Sequence, residues 1–213
     1  MLYLIFMKFK VFLFDLDGTL VDTAQDLVFV LNQLLKENNI QELPFNIVKP
    51  YVSHGALAMI NLGFGDLNEV EKQQKLQRFL ELYQQNINYK SKLFFGMNVI
   101  LEKIKTWGIV TNKSEKLTFL LLDKMNLKPS VVVCGDTLKK AKPHPDPLLY
   151  ACNKLGVQPN DCIYIGDDKN DILAAKTAKM KSIAVSYGYG IDAQDWGADY
   201  VIKQPKDLEK WIF

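Results

Sequence analysis

Phe12-Leu13-Phe14-Asp15-Leu16-Asp17-Gly18-Thr19-Leu20 decides how this chain folds. The residues before it, from Lys8 to Phe14, are mostly apolar and aromatic, with Val11 β-branched, as in a buried strand of a parallel sheet. That strand runs into two carboxylates, a glycine and a threonine. An unpaired buried carboxylate is costly, so two at a strand end call for a metal, a cation or an open cleft. Residues two apart on an extended chain point the same way, so Asp15 and Asp17 can face one site. Gly18 permits a sharp turn, after which its N–H and that of Thr19 can point at an anion.

Working outward, 213 residues are enough for one sizeable α/β core with a smaller appendage. With 48% hydrophobic and 23% charged residues, the chain is of ordinary globular composition. A net charge of +2 implies no general affinity for nucleic acid or membrane. Cys134, Cys152 and Cys162 form no C-x-x-C, and no histidine stands near them at ligand spacing. They read as reduced, mostly buried thiols of a cytoplasmic protein. The apolar run 1–6 is followed by Lys8, Lys10 and Asp15, has its charge on the wrong side for a signal peptide, and is too short to span a bilayer. It reads as an extension of the first strand, with Met7 an alternative initiator.

After Thr23, Leu27, Val30, Leu31, Leu34 and Leu35 recur at helical spacing. A connection over 39–50 with two prolines follows, then an apolar stretch over 57–62. Residues 66–88 are charged and periodic, with Val70, Leu76, Phe79, Leu80 and Tyr83 on the apolar side, which predicts a second long helix. From about Asp22 to Lys90 no strand is evident. An α/β rhythm then resumes. Helices are expected over 98–105, 114–125 (Ser114 as N-cap), 145–155, 170–180 and 205–211. Strands are expected over 107–111, 131–134, 162–165, 181–186 and 199–202. Such alternation predicts a doubly wound parallel sheet, with every strand's carboxyl end on one ligand-binding edge.

Four strand ends deliver polar groups to that edge. They are Asp15 and Asp17, then Thr111-Asn112-Lys113, then Lys142 just past the third, and finally Asp167, Asp168 and Asp171. Acids, a hydroxyl and an amine converging on one crevice suit phosphoryl transfer assisted by a hard divalent ion. In order along the chain, Asp15-Leu16-Asp17-Gly18-Thr19, Thr111-Asn112-Lys113, Lys142-Pro143 and Gly166-Asp167-Asp168-Lys169-Asn170-Asp171 resemble the four motifs of the haloacid dehalogenase-like hydrolases. The likeness covers essentially the whole chain. Within that superfamily the chain most resembles the phosphoglycolate phosphatases. Val52-Ser53-His54-Gly55-Ala56, Trp107 to Lys113, Tyr187-Gly188-Tyr189 and Trp196-Gly197-Ala198-Asp199 also resemble N-acetylmuramic acid 6-phosphate phosphatases. One departure is visible: the helix expected over 98–105 runs almost directly into Trp107, where the family has several more residues.

The resemblance implies a Rossmann-like α/β core over 1–21 and 91–213, with a small all-helical cap inserted over 22–90. It implies Mg²⁺ as cofactor, a small phosphorylated metabolite as partner, and neither nucleic acid nor membrane. Asp15 would be the nucleophile, and Asp17 the general acid and base. Leu16, Gly18 and Asn112 would hold phosphoryl oxygens through their amides, together with Thr111, and Lys142 would offset charge. Asp15, the Asp17 carbonyl and Asp167 would bind the metal, completed by Asp171 or Asp168. Ser53, His54 and Gly55 would touch the leaving group. A sugar phosphomutase would use the same aspartate pair. A non-enzymatic phospho-receiver also combines acids, Thr and Lys on a parallel sheet, but it has neither a second acid two residues after the first nor a helical insertion.

Overall fold

The computed structural model describes residues 9–212. The run 1–6, the alternative start Met7 and Lys8 lie outside them. β1 (Val11–Phe14) is buried throughout, with Val11 and Leu13 in the core on one face of the sheet and Phe12 and Phe14 in the core on the other. After it come β2 (Val21–Asp22), α1 (Ala24–Glu37), α2 (Phe45–Val48), α3 (Ala56–Phe64), α4 (Glu69–Asn86) and β3 (Lys92–Leu93). Between Asp22 and Lys90 the elements are helices, as expected, and short strands stand only at the two ends of that stretch. β2 and β3 pair antiparallel, Val21 with Leu93 and Asp22 with Lys92, so a two-stranded ribbon closes the helical insertion. Two residues carry no periodicity, and only the returning chain makes them a strand.

Within the insertion, α1 buries Leu27, Val30, Leu31, Leu34 and Leu35, as its spacing predicts. α4 starts later than expected, because Asn68 and Glu71 form a reciprocal capping box. Its buried residues are Phe79, Leu82 and Tyr83, while Val70 is 67% exposed. Asp26, fully buried in the first turn of α1, accepts hydrogen bonds from Lys90 N (2.7 Å), Ser91 N (3.2 Å) and Ser91 Oγ (2.6 Å). This ties the exit of the insertion to its entrance.

The rest alternates: α5 (Met97–Lys103), β4 (Trp107–Val110), α6 (Glu115–Lys124), β5 (Val131–Val133), α7 (Asp146–Leu155), β6 (Cys162–Gly166), α8 (Lys169–Thr177), β7 (Lys181–Val185), β8 (Tyr200–Ile202) and α9 (Glu209–Ile212). The short link before Trp107 is three residues, 104–106. α5 ends at Lys103, Ile104 is buried, and the Thr106 carbonyl accepts the Phe12 N–H at 3.1 Å. Ser114 occupies the N-cap position of α6, but its hydroxyl makes no cap bond. Asp136 takes the Glu115 N–H instead, at 2.7 Å. All three cysteines are buried and free.

Among the described residues the main sheet has six strands in the order β5-β4-β1-β6-β7-β8, every neighbouring pair parallel. From β1 the chain builds β4 and β5 on one side of it, then crosses over to β6 on the other. The carboxyl end of β1 is therefore the switch point where such sheets open a crevice. Among the described residues no helix is long and apolar enough to cross a membrane.

Candidate active site

Asp15 follows β1 directly and is anchored by its N–H to the Ile165 carbonyl at 2.8 Å. Lys142 reaches the same point from the loop before α7. Its buried ammonium donates to Asp15 Oδ1 (2.7 Å), Asp171 Oδ1 (2.7 Å) and the Tyr164 hydroxyl (2.8 Å). Tyr164 in turn donates to the Val110 carbonyl at 2.7 Å. Asn112 clamps the main chain of Lys142 from both sides: its Nδ2 donates to the Lys142 carbonyl (2.9 Å) and its Oδ1 accepts the Lys142 N–H (3.0 Å). One side chain after β4 thus positions the amine that faces β1. Burial alone would lower the Lys142 pKa, but Asp15 and Asp171 outweigh it and raise it.

Asp167 follows β6 and is fully buried. Its oxygens accept from Thr19 Oγ1 (3.0 Å), Ser53 Oγ (2.8 Å) and Tyr189 N (3.0 Å). Asp171 lies in the first turn of α8, where it forms a reciprocal capping box with Asp168. Asp168 is spent as that helix cap, accepting the Asn170 N–H at 2.8 Å. Asp15, Asp167 and Asp171, and not Asp168, bring carboxylate oxygens within 4.8 Å of one another.

Burial, opposed by Lys142, pushes Asp15 up to about 6, and the nearby Asp171 and Asp17 add to the rise. Burial together with Asp15 and Asp171 pushes Asp167 up to about 8, because the partners of Asp167 are hydroxyls and an amide rather than a cation. Asp171 is raised by burial against the pull of Lys142. Three buried carboxylates sharing one ammonium leave an excess of negative charge. An all-oxygen donor set of this kind fits a hard divalent metal ion, which Asp15, Asp167 and Asp171 could hold.

Gly18 has φ +89°, and a Cβ there would lie 2.2 Å from Asp167 Oδ2, so only glycine lets the β1 loop pass this close to the acid. The expectation for its amide needs correction: the Gly18 N–H donates to the Val21 carbonyl at 2.9 Å, closing the turn into β2. Thr111 is buried after β4, and its Oγ1 accepts the Lys113 N–H at 3.2 Å.

Asp17 sits beside this cluster and is held by Lys113, a strand-end residue to which the sequence assigned no role. Lys113 Nζ lies 3.0 Å from both Asp17 oxygens and 3.0 Å from the Tyr83 hydroxyl of α4. Thr23 Oγ1 donates to Asp17 Oδ1 at 2.6 Å. The signal for Lys113 was its place two residues after Thr111 at a strand end. Nothing local marks Tyr83, which reads as a core aromatic.

A cavity of about 290 Å³ opens over these groups. The main sheet's loops give it Asp15, Asp17, Thr111, Lys113 and Lys142, and the insertion gives it a largely apolar wall of Leu27, Val52, Ala56, Met59, Phe79 and Leu80. Of the three insertion residues expected to meet a leaving group, Ser53 and Gly55 line the cavity. His54 does not line it: it is exposed, stacks edge-on to Tyr51, and brings Nε2 to 3.6 Å from Asp168 Oδ2.

A family model described as "Haloacid dehalogenase-like hydrolase" matches residues 12–185. A phosphoglycolate phosphatase of Xanthomonas campestris is 38% identical to the chain over 92% of its length and 93% of the relative's. An N-acetylmuramic acid 6-phosphate phosphatase of Pseudomonas putida is 36% identical over 97% of both. Among solved structures, a predicted phosphoglycolate phosphatase from Haemophilus somnus superposes with a TM-score of 0.87 at 30% identity, covering 95% of this chain and 97% of that one.

Proposed function

The chain belongs to the haloacid dehalogenase-like hydrolases and is a phosphatase, and from that premise we propose that it hydrolyses a small phosphomonoester through an aspartyl-phosphate intermediate, with Mg²⁺ as cofactor. The observation that carries this reading is the junction at the end of β1, where the Lys142 ammonium bridges Asp15 and Asp171 beside Asp167.

In the first half-reaction an Asp15 oxygen attacks phosphorus. The ester P–O bond breaks, its electron pair leaves with the alkoxide, and the Asp17 carboxyl gives that oxygen a proton. In the second, water attacks the same phosphorus and Asp17 takes a proton from it. The bond from phosphorus to Asp15 then breaks, releasing inorganic phosphate and restoring the carboxylate. Lys142 offsets charge on Asp15 and the phosphoryl oxygens, and the Thr111 hydroxyl and the amides of Leu16 and Asn112 orient those oxygens. Bound among the carboxylates of Asp15, Asp167 and Asp171 and the Asp17 carbonyl, Mg²⁺ supplies neutralisation of phosphoryl charge. Phosphate release should require Mg²⁺ and vanish in Asp15→Asn. Full turnover in that variant would refute the covalent route, and no phosphate release by the wild type would revive the phospho-receiver reading.

Residues 22–90 act as a cap over a core formed by 1–21 and 91–213, opening about the β2–β3 ribbon so that water can enter after the leaving group departs. A cross-link between the two parts should slow turnover. The cellular place of such an enzyme is the cytoplasm. Phosphoglycolate is the substrate that the relatives' names favour. N-acetylmuramic acid 6-phosphate is a second reading, supported by the apolar wall. Glycolate, a two-carbon hydroxy acid, leaves that wall uncovered, whereas a sugar bearing acetyl and lactyl methyl groups covers it. Phosphate release measured side by side on both compounds decides between them.

A further inference from the structure

We propose that Lys113 is a positioning residue that sets the Asp17 carboxylate over the reaction centre and couples its placement to helix α4 through the Tyr83 hydroxyl. This rests on the reading of Asp17 as the group that exchanges protons with leaving group and water. Four observations carry it. The Lys113 side chain is only 7% exposed, so its ammonium needs fixed partners in place of water. It lies 3.0 Å from each Asp17 oxygen, a symmetric approach that fixes the carboxylate's plane as well as its position. Its main chain is pinned by the Thr111 hydroxyl. The remaining partner, Tyr83, is 1% exposed, accepts from Nζ at 3.0 Å, and stands with its ring centroid 4.4 Å from the charge.

Tyr83 shares its helix face with Phe79 and Leu80, which form part of the apolar wall. A leaving group packed on that wall fixes α4, α4 fixes Tyr83, and Tyr83 holds the ammonium that aims Asp17. Thr23 Oγ1, at 2.6 Å, anchors the other side of Asp17 from the start of α1. The proton-exchanging group is thus suspended between the loop after β4 and two helices of the insertion. It takes its working position when those helices are seated.

The test compares Lys113→Met, Lys113→Arg, Tyr83→Phe and Asp17→Asn on two esters. p-Nitrophenolate leaves without a proton, whereas the alkoxide of phosphoglycolate needs one. Lys113→Met should keep a rapid burst of one p-nitrophenolate per enzyme and then turn over roughly a hundredfold more slowly, the scale of a misplaced acid or base. On phosphoglycolate its kcat should fall by a similar factor with KM changed little. Lys113→Arg should recover most of that loss. Tyr83→Phe, which keeps both charges, should lower kcat about three- to tenfold, the range of one hydrogen bond. A Lys113→Met enzyme that loses the burst, or that keeps wild-type kcat on phosphoglycolate, overturns the proposal. Should Lys113→Met not fold, wild-type kcat in Tyr83→Phe overturns it. Full turnover by Asp17→Asn would instead sink the reading of Asp17 itself. Loss in Asp17→Asn without loss in Lys113→Met would sink only the role of Lys113.

Discussion

Asp167→Asn should make the metal-free protein more stable at pH 8 and slightly less stable at pH 5. Burial, Asp15 and Asp171 push the Asp167 pKa from 3.8 up to about 8, against the opposing N–H of Tyr189 and hydroxyl of Ser53. With the folded pKa above the unfolded one, the native state binds the extra proton between them. Stability is therefore full below about pH 4 and is lost as pH rises toward 8. Each pH unit across that window removes about 1.4 kcal/mol, so the wild type should lose about 4 kcal/mol between pH 5 and pH 8. For a chain of this length that is roughly 8–16 °C of melting temperature. The carboxamide cannot ionise, so the variant should lose far less over the same interval. At pH 5 it gives up only hydrogen-bond quality with Thr19, Ser53 and Tyr189. The assay is thermal or urea unfolding in excess chelator at both pH values, repeated with saturating Mg²⁺, where the order at pH 8 should invert because the wild type gains binding energy. A metal-free wild type whose stability is flat or rising from pH 5 to pH 8, or a variant with the same slope, would refute the uncompensated charge at this site.

Lys142→Met should lower kcat about 10²- to 10³-fold, the roughly 2.7–4 kcal/mol of barrier typical of losing one preorganised electrostatic group, measured as steady-state phosphate release. Asp26→Ala strips the Lys90 and Ser91 amides of a buried acceptor and should cost about 3 kcal/mol in urea unfolding, with faster amide exchange at Ser91. Gly18→Ala combines φ +89° with a Cβ 2.2 Å from Asp167 Oδ2. It should lose about 1–2 kcal/mol from the backbone alone and, in an Mg²⁺ titration of activity, need a higher Mg²⁺ concentration for half-maximal rate.

The sequence alone determined the α/β class, the buried first strand and the four polar strand ends, because each is written in a few consecutive residues. Val11 to Phe14 are apolar whatever surrounds them, and Asp15, Thr111 and Asp167 follow their strands directly. Tertiary structure decided what depends on two distant segments meeting. The β2–β3 ribbon exists only because Lys92 and Leu93 return to Asp22 and Val21. That Asp171 rather than Asp168 clusters with Asp15 and Asp167 follows from a helix start that spends one acid as a cap and turns the other toward Lys142. The Gly18 amide, free to face an anion by local geometry, is taken by Val21. Lys113 closes a motif without a role of its own until Asp17 and Tyr83 arrive on either side of it. Local composition fixes which groups a strand end offers. Long-range packing fixes which of them are already committed, since a buried donor or acceptor must find a partner wherever the fold supplies one.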